Sequence, residues 1–320
     1  MLNSTFEVRS ALRGRGHLAV HVPGAHRLHG RAAFVSQAVG DVRTTASRRA
    51  LTLYLPLSLA TILLLFPFYW MLITSLKTNR ELIDLSGLPF WVFQPTLEHY
   101  QFLFAETGFL RWALNTLTIS VAATAISLVC SIFAGYTLAR LRFRGAAAIA
   151  GAIFVTYLVP QTLLFLPLLE LVRQLGLGNT LWSMILTYPT ILIPFGTWLL
   201  MGYFRRIPLE LEESALIDGA SRFRAMTQIV LPLAVPGILS AGIFAFTLSW
   251  NEFIYALVFT TSTNIKTIPV GVVTELVKGD VYFWGSLMAG ALLGSVPVAL
   301  IYSFFVEQYV GGLTAGAVKG

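Results

Sequence analysis

The chain has 320 residues, of which 56% are hydrophobic and 12% are charged, and it carries a formal net charge of +7. About 25% of the residues are charged in an ordinary soluble domain. This composition excludes a soluble globular protein and indicates an integral membrane protein.

Residues 1–50 are rich in arginine and contain only two acids, Glu7 and Asp41. They lack the apolar content to fold alone, and we predict a disordered cytoplasmic tail. No apolar core precedes residue 51, which argues against a secretory signal, whereas a mitochondrial transit segment or a misplaced start codon would have a similar composition. Four of the five histidines lie here without a Cys or carboxylate cluster, so a solvated tail is favoured over a metal site.

Six runs without a charged residue follow, and each contains the roughly 20 apolar residues that a bilayer-spanning helix needs. We therefore predict an all-α integral membrane protein with six transmembrane helices. The runs cover residues 51–73, 112–139, 145–169, 174–204, 225–251 and 281–306.

The distribution of Lys and Arg predicts the orientation. With both termini in the cytoplasm, 16 of the 22 Lys and Arg residues lie inside and six lie outside. This satisfies the positive-inside rule. If only Arg48 and Arg49 of the tail are counted, the inside total falls to 10, so the tail supplies much of the difference.

Motifs for catalysis or nucleotide binding are missing from the sequence. None of the four lysines follows a glycine, so there is no G-x-x-x-x-G-K-[ST] phosphate loop. Cys130 is the only cysteine, and no paired carboxylates or Ser/His/Asp set stands out. We expect no catalytic residue, no metal site and no nucleic-acid partner. If ATP powers transport, a separate polypeptide must hydrolyse it.

The most informative segment is residues 205–232, a charged, helix-forming stretch between two apolar runs. Pro208 suits the first helical position, and residues 209–218 favour a short helix that Gly219 ends in a left-handed cap. Ser221 then caps a second helix that ends near Pro232.

The short helix has an apolar stripe, because Leu211 lies four residues before Ala215 and Glu212 lies four residues before Leu216. A polar helix with such a stripe suits docking to a partner. A solvated surface loop is the alternative.

The same segment resembles the E-A-A-x3-G-x9-I-x-L-P signature of the inner-membrane permease subunits of binding-protein-dependent ABC importers. Serine replaces one alanine of the signature. The matching residues are Glu213, Ser214, Ala215, Gly219, Ile229, Leu231 and Pro232. In that family the segment is the coupling helix, which seats in a cleft of the cytoplasmic ATPase. The resemblance implies this role for Glu213, Ser214, Ala215, Asp218 and Gly219.

Further motifs, at residues 66–77, 114–116, 138–145, 249–253 and 312–320, resemble the carbohydrate-importing branch and its maltose-permease-like second subunit. The resemblance implies a type I permease fold over residues 51–320 in a bacterial or archaeal inner membrane. It also implies a second permease subunit, two ATPase subunits that bind ATP and Mg, and an external sugar-binding protein as partners. The cytoplasmic C-terminal tail, residues 308–320, would be a second ATPase contact through Gly312, Leu313, Thr314, Gly316 and Lys319.

A sugar path through a membrane needs hydrogen-bonding side chains and aromatic faces directed away from lipid. The candidates are Gln161, Ser249, Trp250, Asn251, Glu252 and Tyr255. The alternative is that the aromatic residues form an interfacial belt and that Asn251 and Glu252 bond between helices.

Two other classes remain open at this stage. An ion-driven secondary transporter of a small polar solute would usually show internal repeats and intramembrane ionisable residues, for which only Glu252 is a candidate. A membrane-embedded enzyme would need a convergent catalytic set. Oligosaccharides, monosaccharides and glycerol phosphates remain alternative cargoes.

Overall fold

The computed structural model describes residues 50–84, 87–279 and 281–314, and helices dominate the described chain. The predicted N-terminal tail therefore lies, apart from Ala50, outside the described residues. In chain order the α-helices are α1 (Leu55–Leu76), α2 (Asn79–Ile83), α3 (Glu98–Glu106), α4 (Phe109–Arg140), α5 (Ala146–Tyr157), α6 (Gln161–Gln174), α7 (Leu181–Thr187), α8 (Pro189–Phe204), α9 (Leu209–Ile217), α10 (Arg222–Ala225), α11 (Leu231–Leu233), α12 (Val235–Trp250), α13 (Ile254–Phe259), α14 (Ile268–Leu276) and α15 (Trp284–Thr314).

Short irregular elements connect some of these helices. They are π-helical turns at Ala50–Tyr54 and Met226–Val230, a 3-10 turn at Thr263–Ile265, and the antiparallel strands β1 (Val277–Lys278) and β2 (Val281–Tyr282).

Four helical segments of the described chain are long and apolar enough to cross a membrane by themselves: Leu51–Leu76, Phe109–Arg140, Leu181–Phe204 and Trp284–Val306. Two further spans are bent pairs, α5 with α6 at 96° and α10–α11 with α12 at 78°. With each pair counted as one span the described chain holds six, which agrees with the predicted fold.

The third and fifth apolar runs do not form straight, unbroken helices. Pro160 has an extended ψ of 126° and precedes α6, so α5 cannot continue through it. Pro232 and Pro236 lack the N–H that an interior helical residue donates to the carbonyl four residues back. The chain accordingly bends at Ala234, between α11 and α12.

The chain divides into two compact units, residues 1–66 and residues 67–320. In the first unit, the side chains described for residues 51–66 are all exposed. Exposed apolar side chains over this length are typical of a helix surface that faces lipid or another membrane subunit.

Helix α4 is the central element of the second unit, where it packs against α8 and α12, which also pack against each other. Gly135 allows α4 to approach α8 closely, because a Cβ atom at this position would lie 3.1 Å from the backbone nitrogen of Met201. Small residues are common where membrane helices pack. Near the C-terminal end of α4 an apolar cluster, here called the basal cluster, consists of Tyr136, Leu200, Phe204, Met226, Val230, Ala234 and Ala241.

The L-N-T motif of α4 anchors the loop that precedes α14. Asn115 Nδ2 donates to the carbonyl oxygens of Asn264 at 2.8 Å and Lys266 at 2.9 Å, and Thr116 Oγ1 accepts from the Ile268 N–H at 2.8 Å. These bonds pair backbone groups of the 3-10 turn, of the loop and of the first residue of α14, for which water is scarce inside a membrane protein. The motif thus has a structural role.

An ion pair ties the same loop to α14. Lys266 Nζ donates to Glu275 Oε1 at 2.6 Å, and this bond holds the pKa of Glu275 below its ordinary value. Because the folded-state pKa is lowered, the pair stabilises the fold at neutral pH, and its contribution is lost as the pH falls through that pKa.

We predict that Gly135→Ala destabilises the protein by about 1–3 kcal/mol, since the added methyl group overpacks the contact with α8. Gly202→Ala is the matched control in α8, because a Cβ atom there meets nothing within 4 Å. Thermal unfolding in detergent, followed by tryptophan fluorescence, measures the difference. Equal midpoints for the two variants would contradict the packing argument.

Candidate functional site

The charged segment after α8 forms a helix, a turn and a second short helix. α9 begins at Leu209, one residue later than predicted, because Pro208 has an extended ψ of 132° and serves as the N-cap. Gly219 adopts a left-handed φ of 89°, and the Ala220 N–H donates to the Ala215 carbonyl at 2.9 Å. Ser221 Oγ accepts from the Arg224 N–H at 3.2 Å and caps α10. The left-handed Gly219 and the N-cap Ser221 match the helix ends predicted for this segment.

Most of the predicted coupling residues face outward from this segment. Glu213, Ser214, Asp218 and Gly219 are exposed, and Ala215 is partly buried. Ile217 is 86% exposed, and α10 adds Phe223 at 63%. Sequence analysis did not single out these two residues, although large apolar side chains in a charged segment were a visible signal. Together they form a charged surface with apolar projections, here called the α9–α10 surface.

The opposite side of α9 carries a buried glutamate. Glu212 is 2% exposed, and its carboxylate accepts a hydrogen bond from the hydroxyl of Tyr136. Arg140 Nε lies 3.7 Å from Glu212 Oε2, and Arg140 Nη2 donates to the Ile207 carbonyl at 2.8 Å. The predicted stripe placed Glu212 with Leu216 on one face, but the partners on α4 were not predicted.

A cavity of 270 Å³ lies where α12 gives way to α13 and α5 to α6. It brings together four of the six predicted path residues, Gln161, Ser249, Asn251 and Glu252. Tyr188 also lines it and was missed by sequence analysis. The remaining lining side chains are apolar: Ile191, Leu192, Leu248, Phe253 and Ile254.

Glu252 has a structural function at this break. Its carboxylate accepts hydrogen bonds from the backbone N–H groups of Tyr255 at 2.8 Å and Ala256 at 3.0 Å, which are free donors in the first turn of α13. Asn251 Nδ2 donates to the Thr247 carbonyl at 2.9 Å, while its side chain remains exposed. Asn251 and Glu252 therefore stabilise the break between α12 and α13 that forms this wall of the cavity.

The other two predicted path residues do not line the cavity. Trp250 is 4% exposed, stacks on Phe246 and donates from Nε1 to the Gly294 carbonyl at 2.9 Å. Tyr255 is fully buried, and its hydroxyl donates to the Gln161 carbonyl at 3.3 Å. These two side chains bond between helices, whereas the alternative reading of the sequence placed them in an interfacial belt and expected such bonds from Asn251 and Glu252.

A larger cavity of 530 Å³ is lined by aromatic side chains and by Lys77 and Glu81. The side chains of Lys77 and Glu81 both bind backbone groups of the neighbouring loop. Lys77 Nζ donates to the Pro89 carbonyl at 2.7 Å, and Glu81 Oε1 accepts from the Phe93 N–H at 3.0 Å. Both side chains thus serve to hold the loop after α2.

The predicted C-terminal contact falls at the edge of the described chain. α15 continues to Thr314, so Gly312, Leu313 and Thr314 belong to this helix rather than to a separate tail beginning at residue 308. Gly316 and Lys319 lie outside the described residues.

Residues 127–310, more than half of the chain, match the family described as "Binding-protein-dependent transport system inner membrane component". The chain belongs to this family. It is therefore a multi-pass component of the inner membrane, and the description itself names a binding protein as a partner of such systems.

Related proteins cover most of the chain. The permease protein SmoH of the sulfoquinovosyl glycerol transport system of Agrobacterium fabrum is 38% identical over 257 residues, 80% of this chain and 89% of SmoH. The inner membrane ABC transporter permease protein YcjP of Escherichia coli is 36% identical, over 83% of this chain and 95% of its own length. The trehalose/maltose transport system permease protein MalG of Thermococcus litoralis is 33% identical, over 82% of this chain and 94% of its own length.

A crystal structure of a bacterial ABC transporter involved in alginate import matches with a TM-score of 0.69 at 19% identity, over 82% of this chain and 97% of that chain. At this identity the likeness shows the fold alone. Together with the family assignment, it confirms the predicted permease fold and the predicted class, an ABC transport subunit whose ATPase is a separate chain. The ion-driven carrier is set aside, because the family works with a binding protein.

We predict that Glu252→Ala destabilises α13 by about 1 kcal/mol, because two backbone N–H groups lose their acceptor. Glu252→Gln keeps one acceptor oxygen and should lie between Ala and wild type. Glu106→Ala is the control, since Glu106 is an exposed glutamate at the C-terminal end of α3. The unfolding midpoint in detergent measures the effect, and a midpoint for Glu252→Ala equal to that of Glu106→Ala would argue against the cap.

Proposed function

We propose that this chain is one of two permease subunits of an ATP-driven sugar importer. Its partners are a homologous permease, two ATPase subunits that bind ATP and Mg, and an external sugar-binding protein. The names of relatives support the cargo class, since SmoH belongs to a sulfoquinovosyl glycerol system and MalG to a trehalose/maltose system. This chain supplies half of the path and a docking surface for the ATPase.

The observation that carries the sugar proposal is the convergence of Gln161, Ser249, Asn251 and Glu252 on one cavity. Sugar hydroxyl groups need both donors and acceptors, which amide, hydroxyl and carboxylate groups provide. The apolar side chains of the same cavity can cover the ring faces, the usual division of labour in small-molecule sites.

The proposed orientation has both termini in the cytoplasm. Arg140 contacts α9, so Arg142 and Arg144 lie at the same end of the protein as Arg205 and Arg206. Positive charge is concentrated on the cytoplasmic side of membrane proteins. With six spans, both termini then lie on that side.

The ATPase would seat on the α9–α10 surface. Glu213, Ser214, Asp218 and Gly219 provide polar contacts, and the exposed Ile217 is the apolar anchor. Interfaces commonly combine a few apolar anchors with a polar surround. The C-terminal contact proposed from the sequence, through Gly312, Leu313, Thr314, Gly316 and Lys319, would be a second and smaller one.

We predict that Ile217→Asp weakens ATPase association at least about tenfold, or about 1.4 kcal/mol, since a charge replaces the apolar anchor. Ile83→Asp is the matched control, because Ile83 in α2 is 79% exposed and lies outside the α9–α10 surface. The tagged chain is purified from its native host in mild detergent, and the co-purifying ATPase is quantified. Equal recovery with the two variants would refute the docking surface.

We predict that Gln161→Ala lowers sugar uptake by about tenfold, since a buried sugar hydroxyl group loses its partner. Only the backbone carbonyl of Gln161 bonds to Tyr255, so the packing of the break should survive the substitution. Gln174→Ala, at the other end of α6, removes the same side chain outside the cavity. Uptake of a panel of labelled sugars into proteoliposomes of the whole complex tests this, and unchanged uptake by Gln161→Ala would exclude its role in the path.

A further inference from the structure

A buried ionic cluster joins α9 to the central helix α4. It consists of Tyr136 and Arg140 on α4 and Glu212 on α9, here called the α4–α9 cluster. The side chains of Arg140 and Glu212 are 5% and 3% exposed, and Tyr136 belongs to the apolar basal cluster. Charged residues are rarely this buried unless they are paired.

Three contacts hold the cluster together. The Tyr136 hydroxyl donates to Glu212 Oε1, and Arg140 Nη2 donates to the Ile207 carbonyl just before α9 at 2.8 Å. Arg140 Nε and Glu212 Oε2 face each other at 3.7 Å. The last turn of α4 therefore binds both Ile207, which precedes α9, and Glu212, which lies within α9.

Stability alone does not explain the cluster. Taking two charges out of water costs about as much as their attraction returns, and well-packed apolar residues usually serve as well. What a charged, hydrogen-bonded contact adds over an apolar one is direction, because it holds the two helices in one relative position. An apolar contact would allow α9 to slide on the basal cluster.

The contact between Arg140 and Glu212 is not a complete hydrogen bond. At 3.7 Å the Nε–Oε2 contact is too long for a hydrogen bond, and within the described chain neither atom has another hydrogen-bond partner. A shift of α9 by about 1 Å would complete the bond. Small shifts at packed helix contacts can be amplified into larger helix movements.

We propose that the α4–α9 cluster transmits movement of the α9–α10 surface to α4, and so couples ATPase closure to the rearrangement of the spanning helices. This rests on the proposed function. Tyr136, Arg140 and Glu212 are positioning residues, which act behind the docking surface and do not contact the ATPase. α4 passes the movement on to α8 and α12, the helices on which it packs.

The test uses the complete transporter in proteoliposomes, with ATP hydrolysis and sugar uptake measured on the same vesicles. Glu212→Gln and Tyr136→Phe should recruit the ATPase and hydrolyse ATP like wild type, while uptake per ATP falls about tenfold or more, since a buried partner is lost. Glu210→Gln and Arg142→Gln are matched controls with exposed side chains and should keep the wild-type ratio.

Further measurements separate coupling from folding. The double variant Glu212→Leu/Arg140→Met keeps an apolar contact between the two helices, and the folded double variant should still be uncoupled. If Glu212→Gln fails to fold, Tyr136→Phe decides, because it retains both charges and the ring. An unchanged uptake-to-ATP ratio in Tyr136→Phe or in the folded double variant overturns the proposal, as does loss of ATPase recruitment in either.

Failure of the proposed function has a different signature. A wild-type chain that neither recruits an ATPase nor imports sugar refutes the importer itself. A wild-type chain that does both, with cluster variants that remain fully coupled, leaves the importer intact and refutes only the role of the cluster.

Discussion

Hydrocarbon offers no hydrogen-bond partner, and this constraint shapes every part of the chain. Unbroken helices pair their own backbone groups, so apolar side chains are enough for them. Wherever a helix breaks, some other group must accept or donate. Glu252 caps α13 for this reason, and Asn115 and Thr116 pair the loop before α14. These polar residues therefore serve the breaks at which they lie.

The proposed sugar path also lies at these breaks. Proline ends α5 at Pro160, and the bend between α11 and α12 follows Pro232. Gln161 follows directly after the first break, and the cavity lies at the end of α12. Proline therefore accounts for the irregular geometry next to Gln161, whereas the break that carries Asn251 and Glu252 contains no proline and is held by the bonds of these two side chains. This is a physical reason for expecting function at interrupted membrane helices.

The sequence predicted the spans, the helix and turn of the α9–α10 segment, and four of the residues that line the cavity. These features depend on local composition and on the residues that begin and end helices. It could not predict contacts between distant helices. Trp250 had the composition of a path residue, but its side chain bonds to Gly294 instead. Glu212 was correctly assigned to the face shared with Leu216, yet only the fold shows that Tyr136 and Arg140 meet it there. Hydrophobic periodicity gives the facing direction of a residue and leaves its partner undetermined.

In the proposed coupling role, the two faces of α9 have different requirements. A docking surface must be free to accept its partner, which suits the exposed Ile217 and Asp218. A transmitting contact must not yield when it is pushed, which suits a buried, directional pair in a low-dielectric setting such as the basal cluster. An exposed ion pair would be weakened by water and salt and would move with its side chains. The buried Glu212 therefore attaches the short helix α9 to the spanning helix α4.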